Sequence, residues 1–223
     1  MADVIAIDGP AASGKSTVAA RLAETLQIPY VNTGNMFRAV TRAAQAAGIT
    51  TPEDCTDEKF APVLAGLQMA YKRNGDGVFD LEVNGEFPGA ALRAPEIAKL
   101  VSPVATVGSV RSFLKDLQRS FAANGMLVME GRDIGTVVFP DAKWKFFVTA
   151  TPEERARRRL AQSGENVSGA TLEEVARGIA ERDRIDSTRA IAPLRAAEDA
   201  ETIDTTGKTI DEVVSYILDK VKA

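Results

Sequence analysis

The chain has 223 residues, 45% hydrophobic and 26% charged, which suits one sizeable α/β core with appended segments and leaves little room for extended disorder. A single cysteine, Cys55, and the absence of histidine exclude intrachain disulfides, His-based triads and His- or multi-cysteine metal sites, so any chemistry runs on Lys, Arg, Asp, Glu, hydroxyls and backbone amides. A net charge of −4 advertises neither nucleic-acid nor membrane binding, no apolar run approaches bilayer length, and a cytoplasmic setting is expected.

DVIAID (3–8) is a short, mostly apolar run that stops at Gly9, the pattern of a buried parallel strand. A glycine-bearing loop follows, then KSTVAARLAETLQ (15–27), whose apolar spacing is helical and unbroken until Pro29. IPYVN (28–32) reads as a second strand, and GNMFRAVTRAAQAAG (34–48) as an Ala-rich helix closed by Gly48. Residues 50–66 hold two prolines and several charges, consistent with a loop and one short helix. From 67 to 89 short β-type runs alternate with Asn-Gly turn signals, predicting a small antiparallel meander inserted into the α/β rhythm.

Helical patterning returns over 94–106 and 110–124, interrupted near Ser102 and Pro103. GMLVME (125–130) is a strand, GRD opens a loop, and KWKFFVTA (143–150) is the next strand. Thr151, Pro152 and Glu154 supply the start of a helix, SGENVSG (163–169) is a flexible break, and Thr171 with Glu174 caps the following helix. ETIDTT (201–206) is the last strand, and Thr209 with Glu212 caps the last helix. Five short strands linked by helices predict a parallel sheet covered on both faces, with the loops after its strands gathered at one ligand-binding edge.

Gly9, four residues, then Gly14, Lys15 and Ser16 satisfy G-x-x-x-x-G-K-[ST] between a strand and a helix. In that context Gly9, Pro10, Ala11, Ala12, Ser13, Gly14, Lys15, Ser16 and Thr17 form a phosphate cradle. Backbone N–H groups converge on the β-phosphate, Lys15 bridges β- and γ-phosphates, and Ser16 is placed to ligate Mg²⁺. Arg155, Arg157, Arg158 and Arg159 lead into the 163–169 break, as arginines on a closing lid would; a solvated basic helix face is the plainer alternative. Arg132 and Asp133 follow a strand end and so sit at the ligand edge, with Glu130 a candidate metal-side acid or a plain strand-end carboxylate. Arg182, Asp186 and Arg189, at spacings of four and three, share one helical face, which a self-neutralising surface ladder would also explain.

Together IDGPAASGKST, NTGNMFR, the meander, GRDIGTVVFPDA and ERDRIDSTRAIAPL resemble the bacterial cytidylate kinase family, in order and over essentially the whole chain. The resemblance implies MgATP-dependent phosphorylation of CMP and dCMP on a P-loop kinase core with a five-stranded parallel sheet. It further implies a core made of 1–33, 107–154 and 186–223, an NMP-binding domain at 34–106 that carries the insertion, and a short lid at 155–185. By the same resemblance, Thr33, Arg38, Ser102, Arg111, Arg132, Asp133, Arg182, Asp186 and Arg189 are the acceptor contacts. Ser102, Arg111 and Asp133 match the cytosine readers, Arg182 and Asp186 the sugar contacts, and Arg38, Arg132 and Arg189 the acceptor-phosphate contacts. Lys15, Arg132, Arg158 and Arg189 are the expected catalytic residues, ATP and Mg²⁺ the expected cofactors, and a monomer is expected because no long apolar face demands a dimer. Five positions depart from the family's usual pattern: Ala12 for Gly, Asn32 for Asp, Asn35 for Ala, Phe37 for Tyr and Glu130 for Asp. A kinase of the same fold for UMP, AMP or shikimate is the nearest rival, and a nucleotide-dependent switch the rival of another class. Convergence of Ser102, Arg111 and Asp133 on one pocket separates the first reading from its nearest rival.

Overall fold

The computed structural model describes residues 2–161 and 169–222. Five strands form the main sheet: β1 (Ala2–Asp8), β2 (Tyr30–Asn32), and, beyond an insertion that holds β3 (Met69–Arg73) and β4 (Phe79–Val83), β5 (Leu127–Gly131), β6 (Ala142–Thr149) and β7 (Glu201–Asp204). Their order is β2-β5-β1-β6-β7 and every pairing is parallel, as the sequence predicts. β1 lies at the centre and is buried on both faces, which is why its run is nearly all apolar. Val4 and Ala6 enter one core with Leu127 and Met129, while Ile5 and Ile7 enter the other with Val128, Phe146 and Val148. This alternation is the two-residue period of a strand feeding two layers.

The second core is closed by α1 (Lys15–Leu26) and α8 (Ile210–Lys222). The first is closed by α2 (Thr33–Ala46), α4 (Pro95–Val104) and α5 (Gly108–Phe121), with Phe60 of α3 (Asp57–Ala65) fully buried among them. α6 (Pro152–Ala161) and α7 (Leu172–Thr188) pack on each other through Ala156, Val175 and Ile179. The capping pairs expected at Thr171/Glu174 and Thr209/Glu212 are formed, and Thr151 accepts from the Glu154 N–H at the start of α6.

Two expectations are corrected. The insertion is a two-stranded hairpin, β3 (Met69–Arg73) with β4 (Phe79–Val83), and the run after Asn84–Gly85 contributes one bridge, Val83 to Glu86, rather than a third strand. Pro88 and Gly89 stand just beyond Phe87, and proline has no N–H to extend the pairing. Pro103 does not interrupt its helix at Ser102: it sits in the last turn of α4, and the chain turns after it so that the α4 and α5 axes differ by 97°. The expected break at 163–169 lies, apart from Gly169, outside the described residues. Among the described residues no single helix is long and apolar enough to cross a membrane.

Candidate active site

The loop between β1 and α1 is built against β6. Gly9 has φ +154, and a Cβ there would stand 2.0 Å from the Val148 carbonyl oxygen, so the chain passes only because that atom is missing. Gly14 turns the chain into α1 with φ +90, and no side chain caps the helix, leaving its first N–H groups directed at the loop's mouth. Ser16 and Thr17 are exposed at that mouth, while Lys15 is buried and donates from Nζ to the Pro10 carbonyl at 2.9 Å. Burial, reinforced by the charges of Arg132 and Arg182, lowers the Lys15 pKa to about 7. The loop is a cradle for anions, with its own lysine folded into it.

Beside it, at the ends of β5 and α7, one small cavity of about 50 Å³ is lined by Thr33, Ser102, Arg111, Arg132, Asp133, Arg182, Asp186 and Arg189. Eight of the nine acceptor contacts implied by the sequence are thus brought together. Arg111 Nη2 donates to Asp133 Oδ2 and its Nη1 to the Ala105 carbonyl at 3.0 Å, with the Phe37 ring 5.5 Å beneath the guanidinium. Arg132 Nε donates to Asp186 at 2.9 Å, and Arg189 lies 3.6 Å from Asp186 and 3.8 Å from Asp133. The ninth contact, Arg38, is bonded to the Leu92 carbonyl and lies close enough to Arg132 for the two charges to oppose each other. The cavity opens toward a larger one of about 780 Å³ between α4 and α7 that shares Ser102 and Arg182.

Electrostatically the site is an excess of buried cations. Burial, then mutual repulsion, lowers the pKa of Arg38 to about 10 and of Arg159 and Arg182 to about 9. Arg132 resists the trend: burial works against its charge, but Asp186 more than compensates. Two buried nitrogens, Arg182 Nε and Arg189 Nη2, make no hydrogen bond in this state. Such a cluster is stabilised by a polyanion set among it.

Arg158 is placed apart from this cluster. Its guanidinium donates to the carbonyls of Ser13 (3.2 Å) and Thr205 (2.8 Å) and pairs with Glu154, so it braces the loop between β1 and α1, whereas Arg159 stands close to Arg182, Arg38 and Arg132. Sequence reasoning also passed over Asp8, which is buried at the end of β1 and accepts the N–H groups of Ile134 (2.8 Å) and Gly135 (2.7 Å), fixing the π-helical turn that follows Asp133. Burial pushes the Asp8 carboxyl up to about 7 despite those two bonds. The departures at Asn32 and Glu130 meet in one hydrogen-bond network. Tyr30 donates its hydroxyl to Glu130 at 2.8 Å and accepts from the Asn32 amide at 3.1 Å, a donation that an aspartate could not make. Asn32 Oδ1 meanwhile caps α2 by accepting the Asn35 N–H, and Tyr71 of the inserted hairpin bonds the Asn32 backbone at both N–H and C=O.

Among the described residues no group of three or more carboxylates or thiols could hold a metal ion. An exposed serine at an uncapped helix start fits Mg²⁺ that arrives on nucleotide phosphates and keeps most of its own water.

The sequence pattern of the cytidylate kinase family matches residues 5–223. A cytidylate kinase of Geobacter sp. (strain M21) is 43% identical over 219 residues, spanning 98% of this chain and 92% of that protein. The cytidylate kinase of Shouchella clausii (strain KSM-K16) is 46% identical over 221 residues, spanning 98% and 95%. A crystal structure of an uncharacterized protein from Eubacterium ventriosum ATCC 27560 shares the fold, with a TM-score of 0.56 at 13% identity over 99% of this chain and 98% of that one. Identity above 40% runs alongside a family pattern satisfied almost end to end, and the chain belongs to the cytidylate kinase family.

Proposed function

We propose that the protein transfers the γ-phosphoryl group of ATP to CMP or dCMP, giving ADP and the nucleoside diphosphate, by direct in-line displacement. The observation that carries this reading is the convergence of Ser102, Arg111 and Asp133 on one cavity ringed by buried cations, one loop away from a phosphate cradle. A carboxylate at Asp133 accepts from the exocyclic amine of cytosine and repels the carbonyl that uracil carries there, while Arg111 and Ser102 donate to the ring oxygen and nitrogen. Arg182 and Asp186 hold the sugar, and Arg38, Arg132 and Arg189 hold the acceptor phosphate.

The attacking group is already an ionised phosphate oxygen, so no strong general base is required. Catalysis rests on positioning and on charge: Lys15 swings from the Pro10 carbonyl to the donor phosphates, and the arginines offset the negative charge spread over the migrating group. Mg²⁺ carried on the nucleotide, with Ser16 as its protein ligand, neutralises the β- and γ-phosphates when bound. Residues 155–185 act as a lid, 34–106 as the NMP-binding domain, and the remaining segments as the core. The acceptor cavity of about 50 Å³ is too small for a nucleotide by itself, and the cavity of about 780 Å³ between α4 and α7, which shares Ser102 and Arg182 with it, supplies the remaining room.

ADP release with MgATP against CMP, dCMP, UMP, AMP, GMP and shikimate tests the proposal. Strong stimulation by CMP and dCMP alone is expected; stimulation by another acceptor, or slow release indifferent to all of them, would overturn it.

A further inference from the structure

The donor loop is gripped from outside at one peptide. Arg155, buried on α6, donates from Nη1 to the Ala11 carbonyl at 3.3 Å, and Asp183, on α7, accepts the Ala11 N–H at 3.3 Å. The two side chains are ion-paired to each other, Arg155 Nη1 donating to Asp183 Oδ2. Both polar groups of Ala11 are therefore held by one Arg–Asp unit, whose arginine is 10% and aspartate 19% exposed. The next residue, Ala12, is a non-glycine residue in the left-handed region at φ +57, a conformation that costs about 1 kcal/mol. Its methyl packs on Ala156, Val175 and Ile179, the contact that joins α6 to α7. Glycine at this position would relieve the strain but lose the contact.

Asp183 directly follows Arg182 and precedes Asp186 by three residues on α7, and both of those line the acceptor cavity. A rigid helical turn thus holds the donor loop at one residue and the acceptor at its neighbours. We infer that Arg155 and Asp183 are a positioning pair that couples the two sites: an acceptor seated on Arg182 and Asp186 reorients α7, and Asp183 passes that movement to the Ala11 peptide of the phosphate loop. The coupling is reciprocal, as linkage requires. The inference rests on the acceptor being a cytidine nucleotide, as proposed above.

Dissociation constants test it: CMP alone, the β,γ-imido analogue of ATP with Mg²⁺ alone, and each at saturation of the other. The wild type is expected to show each ligand tightening the other by at least about fivefold. Replacing both partners, Arg155→Met with Asp183→Leu, removes the pair without stranding a buried charge, so the fold is retained. In that variant the coupling should fall to within about twofold of unity, while the Kd for CMP alone shifts by less than about threefold. Coupling that persists in the double variant, or is absent from the wild type, would overturn the inference. Amide hydrogen exchange on the wild type needs no variant: the Ala11 N–H should be protected, and CMP alone should change its exchange rate, whereas an unresponsive Ala11 overturns the pair's role. If neither ligand binds the wild type, the proposed function fails instead.

Discussion

Raising the pH should weaken nucleotide binding through Lys15. In the ligand-free protein burial and the facing arginines hold its pKa at about 7, and the phosphates of a bound nucleotide would restore it toward the ordinary lysine value. Binding above neutrality must therefore take up a proton. With one site at about 7, uptake is about half a proton at pH 7 and about nine-tenths at pH 8. Affinity should then fall about tenfold between pH 6 and pH 8, or about 1.4 kcal/mol. Isothermal titration with the β,γ-imido analogue of ATP and Mg²⁺, repeated in buffers of different ionisation heat, measures the uptake directly. Lys15→Arg, charged at every pH used, should bind with a flat profile. The same lysine makes folding pH-dependent: between about 7 and 10.5 the unfolded chain holds the proton that the folded chain has lost, so this contribution to stability rises with pH across that window. Zero proton uptake at pH 8 with an unchanged affinity would refute the reasoning.

Asp133→Asn removes the carboxylate that pairs with Arg111 and is proposed to read the acceptor base, and kcat/KM for CMP should fall on the order of a hundredfold with the KM for ATP moving less than about threefold. Equal loss toward both substrates would make Asp133 structural. Asn32→Asp removes the amide donor to Tyr30 and sets a second carboxylate near Glu130, so urea denaturation should report a loss of about 1–3 kcal/mol; no loss would mean the Tyr30 network is idle. Gly9→Ala forces a methyl onto the Val148 carbonyl and should abolish binding of the ATP analogue, or folding itself, and a variant that binds normally would contradict the tight seating of the loop on β6.

Features set by neighbours in the chain were legible in the sequence. The apolar run of β1, the phosphate loop that follows it and the Thr/Glu capping boxes of α7 and α8 each depend on residues within about eight positions of one another. What escaped depends on which strands come to lie side by side. Asp8 reads as a polar strand end until β5 is placed next to β1 and the N–H groups 126 and 127 residues away turn toward it. Arg158 and Arg159 are adjacent and chemically alike, but a helix turns by about 100° between them, and only the docking of α6 decides which braces the loop and which joins Arg38, Arg132 and Arg182. The hydrogen bonds of Asn32 carry a similar lesson: its departure from the usual residue made no sense until Tyr30 and Glu130 met it across two paired strands.

The strand order has a consequence for biosynthesis. β1 leaves the ribosome before both of its hydrogen-bonding partners, Leu127–Gly131 on one side and Ala142–Phe147 on the other. At about 5–20 residues per second, the central strand waits roughly 7 to 30 seconds for the second of these neighbours to be made. Until β5 is made, both edges of a strongly apolar segment are unpaired, and the edge facing β6 stays so until the end of that interval, with only α1 within short reach to cover one face. A nascent chain of this topology is therefore most exposed to misassociation before β6 emerges, and ribosome-nascent-chain complexes stalled on either side of residue 150 should differ sharply in protease resistance.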